Sequence, residues 1–383
     1  MFVSILACAI PDPVSASSAL PVVSEVEQLI PAGNLPPEVV DQPSNNNLDV
    51  VVHDGETFLA FRTAPTHFAS SETELYVLRE SASGWAFETA VRMETDLREP
   101  RFLSWNGELL LYFAVLGANP ADFEPQGSML TVRSADGAWS APASMFDDTF
   151  IPWRARVVNG VPYLVGYTGG ADIYDGGTPK IEVKWLTSTD GRTWAPVAGD
   201  GTVEVGGGSE TDWVFLDDGG VLAVTRNEAG DETGWGSKIC RSSGRDPAAW
   251  ACVNDPRKYD SPLMFREGGR NWLIGRRNVT DDGHYDLGRR DLSFAQQTLF
   301  YEAEYWNQPK RCSLWEVDSD TLIVTWVLDL PSQGDTCFPS ALDEGEGRWR
   351  VTNYSSPIDG DDPVWHEGQL GPTHVYRQLI TFP

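Results

Sequence analysis

The chain has 383 residues, and its 36 glycines and 26 prolines are too many turn formers for a protein built from long helices. Hydrophobic residues make up 41% of the chain and aromatic residues 11%, which is enough to bury a large core and excludes an intrinsically disordered protein. Acidic residues number 56 and basic residues 28, and the formal net charge of -28 argues against a nucleic-acid partner because phosphate backbones would be repelled.

The N-terminal segment carries a signal of cellular location. Met1 to Ile10 is apolar and uncharged, but it is too short for a membrane-spanning helix, which needs about 20 residues. Within it, the letters ILAC ending at Cys8 resemble a bacterial lipobox, in which the cysteine thiol receives a lipid, although no basic residue precedes them. We therefore expect an exported bacterial protein, either a cell-envelope lipoprotein anchored through Cys8 or a secreted protein. A different cleaved signal and an ordinary apolar N-terminus are the alternatives.

The segment that follows, Pro11 to Pro43, is rich in proline, serine and alanine and shows no sustained hydrophobic period. Such a composition is typical of a linker. The sequence therefore predicts a signal and tether over residues 1–43 and a single folded domain over residues 44–383.

A short phrase then recurs along the chain: an apolar run, a turn that contains glycine, and a second apolar run. Each copy is typical of a β-hairpin. Successive turn glycines lie 52, 53, 59 and 49 residues apart, at Gly55, Gly107, Gly160, Gly219 and Gly268. A later hairpin from Phe338 to Tyr354 resembles the same phrase, and Ser313 to Val327 is a further pair of predicted strands.

A second phrase lies between the hairpins, in which a strand runs into a Ser/Asp/Gly turn and then a tryptophan, as in STDGRTW at residues 188–194. These tryptophans are spaced 54, 55 and 56 residues apart, at Trp85, Trp139, Trp194 and Trp250. We expect each tryptophan to begin the outer strand of its unit and to pack between neighbouring sheets, which is a structural role.

Two signals with one period indicate four strands per unit, and such units without predicted helices between them are typical of a β-propeller. The 339 residues from Asn45 onward divide into about six units of this length. The prediction is an all-β, six-bladed propeller of four-stranded antiparallel blades, with five or seven blades left open. The segment Tyr301 to Trp306 is interpreted as an outer strand or an aromatic rim.

The five cysteines form an odd set that becomes even once Cys8 is assigned to lipidation. An even set is typical of disulfides formed in an oxidising compartment. Sequence alone allows three pairings of the remaining four, and we favour the two local ones, Cys240 with Cys252 and Cys312 with Cys337. Four buried free thiols are the alternative.

The Ser/Asp/Gly/Trp turns resemble the Asp boxes of the sialidase, or BNR-repeat, superfamily, and phrases from Leu48 to Phe382 are similar to bacterial sialidase-like propellers. FLAFRTAPTH (58–67) and PWRARVVNGVPYLVGY (152–167) carry much of this likeness. In sialidases an Arg-Ile-Pro element enters the first inner strand, but the matching stretch here, residues 44–48, holds no arginine. Arg98-Glu99-Pro100 is also similar to the Arg-Asp-Pro element of five-bladed fructosidases and arabinanases. The resemblance therefore implies the fold and leaves the activity open.

In a propeller the innermost strand of each blade begins, and the next strand ends, at the same mouth of the central tunnel. The sequence predicts that charged residues gather there. Strand ends and a following loop supply Arg62, His67, Arg226, Arg276 and Tyr354, and strand starts supply Glu99, Arg101, Arg154, Glu210, Asp212 and Asp335.

We expect the arginines and His67 to bind substrate, because a guanidinium can hold a carboxylate through two hydrogen bonds. Glycoside cleavage commonly uses two carboxyl groups, and Glu99 with Glu210 is the first candidate pair, with Asp212 and Asp335 in reserve. The resemblance to sialidases implies Tyr354 as the candidate nucleophile. Charge pairs that only satisfy one another are the structural alternative for these residues.

The sequence thus predicts an exported, monomeric propeller that binds, and in one interpretation hydrolyses, an acidic glycan at this mouth. A carbohydrate-binding or adhesion module without turnover is the main alternative, and an interaction scaffold is a third. We expect no cofactor and no metal site, and contact with a membrane only through a lipid on Cys8.

Overall fold

The computed structural model of the chain describes residues 19–146, 149–171, 173 and 180–383, so the candidate lipidation site Cys8 lies outside the described residues. Its strands form six sheets. Two short strands precede the first full sheet: β1 (Val22–Val23) and β2 (Glu27–Ile30).

Four strands run antiparallel in each of the first three blades, and an extra strand joins blade 3. Blade 1 contains β3 (Ser44–His53), β4 (Glu56–Ala64), β5 (Glu74–Ser81) and β6 (Gly84–Arg92). Blade 2 contains β7 (Asp96–Trp105), β8 (Glu108–Leu116), β9 (Pro125–Arg133) and β10 (Ala143–Ser144). Blade 3 contains β11 (Ile151–Val158), β12 (Val161–Thr168), β13 (Ile181–Ser188), β14 (Trp194–Pro196) and the extra strand β15 (Thr202–Gly206).

The other three blades follow the same order, except that the last is completed from the N-terminus. Blade 4 contains β16 (Gly208–Phe215), β17 (Val221–Asn227), β18 (Lys238–Ser243) and β19 (Asp246–Asn254). Blade 5 contains β20 (Leu263–Glu267), β21 (Arg270–Asn278), β22 (Lys310–Val317) and β23 (Val324–Asp329). Blade 6 contains β24 (Ser340–Gly345), β25 (Arg348–Ser355) and β26 (His374–Thr381), and both β1 and β2 pair with β26.

This arrangement confirms the predicted six-bladed β-propeller. The five glycines of the recurring hairpin turns all have positive φ, between 59° and 82°. The turn of the first hairpin in a blade requires this conformation, which residues with a Cβ rarely adopt. Across the tunnel, the guanidinium of Arg154 in blade 3 donates to the carbonyls of Pro262 and Pro339, at the entrances of blades 5 and 6. Distant blades therefore meet around one axis.

The tether predicted before residue 44 is partly incorporated into the domain. β1 and β2 complete blade 6, and the side chains of Leu29, Ile30 and Val39 are buried in the core. Pairing of the chain's start with its last strand closes the ring of blades.

The turn at residues 188–194 has the predicted local structure, whereas Trp139 precedes β10 by four residues and Trp250 lies in the middle of β19. Asp190 accepts hydrogen bonds from the backbone nitrogens of Arg192 and Thr193, at 2.8 and 2.7 Å. Trp194, which begins β14, packs edge-on against Tyr112 of the neighbouring blade, with ring centroids 6.1 Å apart. The turns join the third and fourth strands and so lie at the end of the tunnel opposite to the predicted site.

Both predicted disulfides are present. Cys240 and Cys252 join β18 and β19 within blade 4, where the two residues are directly paired across the ladder. Cys312 on β22 is bonded to Cys337, three residues before β24, so this second disulfide links blades 5 and 6.

The interpretation of Tyr301 to Trp306 as an outer strand or rim is wrong, because the segment belongs to helix α1 (Phe294–Trp306). Ser293 and Gln296 form a capping box at its start, which satisfies backbone groups that a helix leaves unpaired. Tyr301 and Tyr305, four residues apart, are buried on one face.

A second helix, α2 (Trp365–Leu370), lies between β25 and β26. The described residues form no helix that is long and apolar enough to cross a membrane.

Candidate functional site

Irregular strand pairing shapes the mouth at which the innermost strands begin. In blades 1 to 4 the register between the first and second strands shifts near this mouth. Asn47 and Glu99 lie within two of these shifts and have left-handed φ angles of 37° and 53°. A β-bulge changes the direction of the side chains around it and is common beside active sites. Here it brings the amide of Asn47 within 3.4 Å of the Glu99 carboxylate.

The loops of this mouth follow the second strand of each blade, and the two helices lie among them. α1 belongs to the long segment 279–309 between β21 and β22, and α2 follows β25. The backbone of His67, on the loop after β4, donates to the carbonyl of Gln369 in α2 at 3.1 Å. The helices therefore pack over the predicted site from blades 5 and 6.

Asp335 is the centre of one hydrogen-bond cluster. Its Oδ2 lies 2.7 Å from Nδ1 of His67, while Oδ1 accepts from the hydroxyl of Tyr354 at 3.0 Å and from Nε1 of Trp365 at 3.1 Å. Asp335 has no exposed surface. Burial alone would raise its pKa, but the contacts with His67, Arg276 and Tyr354 hold the pKa below its usual value. Asp335 is thus a buried carboxylate with three donors around it.

Arg276 connects this cluster to a second carboxylate. Its Nη1 donates to Asp260 at 2.9 Å, its Nε donates to the carbonyl of Thr336 at 2.6 Å, and its Nη2 lies 3.5 Å from the hydroxyl of Tyr354. The guanidinium also stacks on Trp365, at 4.6 Å from the ring centroid. The predicted residues Arg276, Tyr354 and Asp335 are therefore brought together.

The phenol of Tyr354 is held in its protonated form. Burial raises its pKa well above the usual value, and the charge of Asp335 raises the pKa further. The neutral hydroxyl donates to Asp335. In this arrangement Tyr354 is a hydrogen-bond donor and not an ionised nucleophile.

Arg226 is the centre of the second cluster at the mouth. Its Nη1 lies 2.9 Å from a carboxylate oxygen of Glu210 and 2.7 Å from one of Glu228. Because both oxygens contact the same nitrogen, the two oxygens are within about 6 Å of each other. Glu228 also accepts from the ammonium of Lys258 at 2.9 Å. The arginine is thus placed between two acids that the chain itself supplies.

Glu210 has an unusual protonation equilibrium for an acid. Burial raises its pKa to about 7, and the charges of Asp260 and Glu99 add to the effect, while Arg226 opposes it. Its second oxygen accepts from the backbone nitrogen of Ser261 at 2.6 Å. A carboxyl with this pKa exchanges its proton near neutral pH, which suits a general acid.

Helix α1 contributes groups that the sequence analysis did not identify. The hydroxyl of Tyr305 donates to Asp260 at 2.6 Å, and the carboxyl of Glu302 lies 3.5 Å from Lys258. Burial raises the pKa of Glu302 to about 7. Lys258 itself has no exposed side-chain surface. A helix inserted in one blade leaves no mark in a fifty-residue period, so the periodic pattern could not reveal these residues.

Arg62 is placed at the same mouth but is enclosed. Two of its nitrogens contact Asp96, at 3.1 and 2.7 Å, and neither side chain has any exposed surface. Arg98 pairs with the other oxygen of Asp96 at 2.5 Å and donates to the carbonyl of His67 at 2.8 Å. Arg62 also donates to the carbonyls of Thr66 and Phe68, at 3.4 and 3.0 Å, and so holds the loop that contains His67.

Three other predicted residues lie deeper, in a layer inside the tunnel. Arg154 is 3.4 Å from Asp212 and 3.8 Å from Asp49, and Arg156 is a second partner of Asp212. Arg101 stacks between two aromatic rings in this layer. Arg101, Arg154 and Asp212 are all at least 95% buried. The structure therefore separates them from Arg226, Arg276, Glu210, Asp335 and Tyr354 at the mouth.

Comparisons of whole chains give the same fold. No protein-family model matches the chain, and no curated protein gives a significant match. A protein of unknown function from Dyadobacter fermentans DSM 18053 has a similar structure, with a TM-score of 0.59, 16% identity, and coverage of 89% of this chain and 95% of that one.

Sialidases also have similar structures. Phage phi92 endosialidase matches with a TM-score of 0.61, 9% identity, and coverage of 94% of this chain and 69% of the endosialidase. Trypanosoma rangeli sialidase matches with a TM-score of 0.54, 14% identity, and coverage of 88% of this chain. The chain spans about half, 54%, of the length of the Trypanosoma rangeli protein. At these identities the likeness concerns the fold, and the chain has a sialidase-like β-propeller fold.

Proposed function

We propose that the chain is an exported propeller that binds an acidic glycan at the mouth formed by Arg226 and Arg276. The observation that carries the proposal is the convergence of these arginines with Glu210, Tyr354 and Asp335, which come from different blades. Guanidinium groups recognise carboxylates through paired hydrogen bonds. Phage phi92 endosialidase and Trypanosoma rangeli sialidase have the same fold, and the sialic acid to which both names refer is an acidic sugar.

Hydrolysis of the bound glycan is the second part of the proposal. Glu210, with its pKa of about 7, is the general acid that protonates the leaving oxygen. Glu228 lies within about 6 Å of Glu210, a spacing within the range over which two carboxyl groups cooperate in glycoside cleavage. Glu99 is the alternative partner, and burial raises its pKa too.

Binding without turnover is the competing function, and the internal pairing of the site favours it. Arg276 is occupied by Asp260, and Arg226 by Glu210 and Glu228. Tyr354 is held as a neutral donor to Asp335. Chemistry would require the glycan to replace some of these partners.

The experiment that separates the two functions is a turnover screen with purified protein on aryl glycosides and acidic polysaccharides. The hydrolase proposal predicts product release by the wild type and at least about a hundredfold slower release by Glu210→Gln, because loss of a general acid has effects of that size. Glu346→Gln, at an exposed turn on the opposite side of the tunnel, is the matched control and should retain full activity. Retained glycan binding without turnover on any substrate would overturn hydrolysis and leave the binding function.

Export and lipidation belong to the same proposal. Two disulfides favour an oxidising compartment. Expression of the full chain in a bacterium with a radiolabelled fatty acid should label the wild type and leave Cys8→Ser unlabelled. Equal labelling of the two proteins, or none of either, would contradict lipidation at Cys8.

A further inference from the structure

The layer inside the tunnel holds a fully buried arginine, Arg101, with few direct partners. The guanidinium of Arg101 lies 4.7 Å from the ring centroid of Trp153 and 4.3 Å from that of Phe338, and the side chain has no exposed surface. Its Nη1 has one distant contact, to the carbonyl of Leu48 at 3.5 Å. Within the part of the chain that the structure describes, its Nε and Nη2 have no hydrogen-bond partner. Among the described residues, no carboxylate lies within ion-pair distance of Arg101.

This situation differs from that of the buried arginines at the mouth. Arg62 and Arg276 each contact a carboxylate within 3 Å. A buried charge without such a partner is costly, and buried N–H groups are nearly always paired. The Nε and Nη2 atoms form the edge of the guanidinium that binds an anion through two parallel hydrogen bonds. In Arg101 that edge is unpartnered.

The acids nearest to Arg101 contact other arginines. Arg154 contacts Asp212 and Asp49, and Arg156 contacts Asp212. The Nε of Arg154 also lacks a hydrogen-bond partner among the described residues. Glu99 is a further acid near Arg101, and burial raises its pKa.

We propose that the tunnel layer at Arg101 binds one small inorganic anion, such as chloride or bromide, through the Nε and Nη2 groups of Arg101. Burial limits the ligand to a single ion or a group of similar size. The ion satisfies donors that the described residues leave unpaired. The lowered pKa of Arg101, about 9, agrees with this account, because burial and the repulsion from Arg154 both disfavour its charge.

A cavity approaches the layer from the side of the tunnel opposite to the glycan site. This cavity of about 670 Å³ opens there and is lined by the second halves of the innermost strands, reaching inward as far as Asp49 and Arg154. The anion can therefore reach the layer without passing the charged mouth. The proposed ion site is thus distinct from the glycan site and does not depend on the proposed function.

Anomalous diffraction from crystals of the full chain grown in sodium bromide tests the site directly. The proposal predicts a bromide peak at hydrogen-bonding distance from Nε or Nη2 of Arg101. Peaks on surface lysines and arginines alone, with none in the tunnel, would overturn it. This measurement uses the wild type and does not depend on a variant that folds.

Thermal unfolding at constant ionic strength, with bromide replacing gluconate, gives the second test. Wild-type Tm should rise by about 2 °C for each tenfold increase of bromide above its Kd, because the ion binds the folded state. Arg101→Met should lose this rise. Arg266→Met is the matched control, since Arg266 pairs with Asp217 at the exposed end of the cavity, and it should retain the rise. Equal bromide dependence of the wild type and Arg101→Met would contradict the proposal.

Discussion

The Nδ1 atom of His67 lies 2.7 Å from Oδ2 of Asp335, although 268 residues separate them in the chain. His67 belongs to a loop of blade 1, and Asp335 lies at the entrance of blade 6. The contact therefore joins the first and last blades at the mouth where Arg276 and Tyr354 also meet. His67 and Asp335 therefore link the first and last blades and belong to the candidate site.

Replacement of Asp335 should destabilise the fold. Asp335→Asn keeps one acceptor oxygen but places an NH₂ group among the three donors of His67, Tyr354 and Trp365. We expect the free energy of unfolding to fall by about 2 kcal/mol, since a buried donor is left without an acceptor. Urea unfolding at neutral pH measures it. Asp343→Asn, at an exposed hairpin turn, is the control and should change stability little. Equal effects of the two changes would show that the Asp335 cluster adds no stability.

The enclosed pair of Arg62 and Asp96 should matter more than an exposed pair. Arg62→Met leaves a carboxylate buried without its main partner, and we expect a loss of about 3 to 5 kcal/mol. Arg266→Met breaks a pair whose acid, Asp217, is 85% exposed, and should cost less than about 1 kcal/mol. Chemical denaturation of both variants makes the comparison. A loss for Arg62→Met as small as that for Arg266→Met would contradict the burial argument.

The raised pKa of Glu210 predicts a pH dependence of stability. In the folded chain Glu210 holds its proton up to about pH 7, whereas in the unfolded chain it loses the proton near pH 4.5. The wild type should therefore lose stability, relative to Glu210→Gln, as pH rises from 4.5 to 7, by up to about 3 kcal/mol. Urea unfolding of both proteins across this range gives the difference. A difference that stays constant over the range, or that grows in favour of the wild type, would refute the raised pKa.

The two disulfides should contribute unequally. Cys240 and Cys252 are 12 residues apart within one blade, while Cys312 and Cys337 are 25 apart and link two blades. In the chain-entropy account, removal by paired Cys→Ala changes costs about 3 kcal/mol for the first and about half a kcal/mol more for the second. Thermal unfolding of the two double variants measures both. A larger loss from the first pair would mean that loop length does not decide their contributions.

The number of blades and the location of the mouth could be predicted because both follow from the period of the glycine turns in the sequence. The glycine turns recur every blade, and the residues beside the strand starts and ends, such as Glu210 and Arg276, can be located once the strands are counted. Asp260 could have been found in the same way, because it lies three residues before β20, where the chain enters blade 5.

The rest of the site had no such signal. Tyr305 and Glu302 belong to helix α1, and Trp365 begins helix α2. Both helices are insertions between strands, so no repeat predicts the positions of these residues. The sequence also could not predict which of the charged residues lie at the mouth and which lie in the inner layer. The strand pattern assigns both Arg101 and Arg226 to the mouth, but two aromatic rings enclose the first and two acids hold the second.

The central claim is that the mouth recognises the carboxylate of a glycan. Isothermal titration calorimetry with acidic glycans and their methyl esters tests it most directly, with the wild type and Arg226→Gln compared. We expect the acids to bind at least about tenfold more tightly than the esters, a difference of about 1.4 kcal/mol, and Arg226→Gln to lose this preference while keeping the circular dichroism spectrum of the folded wild type. Equal affinity of the wild type for acids and esters, or no binding of any acidic glycan, would contradict the claim.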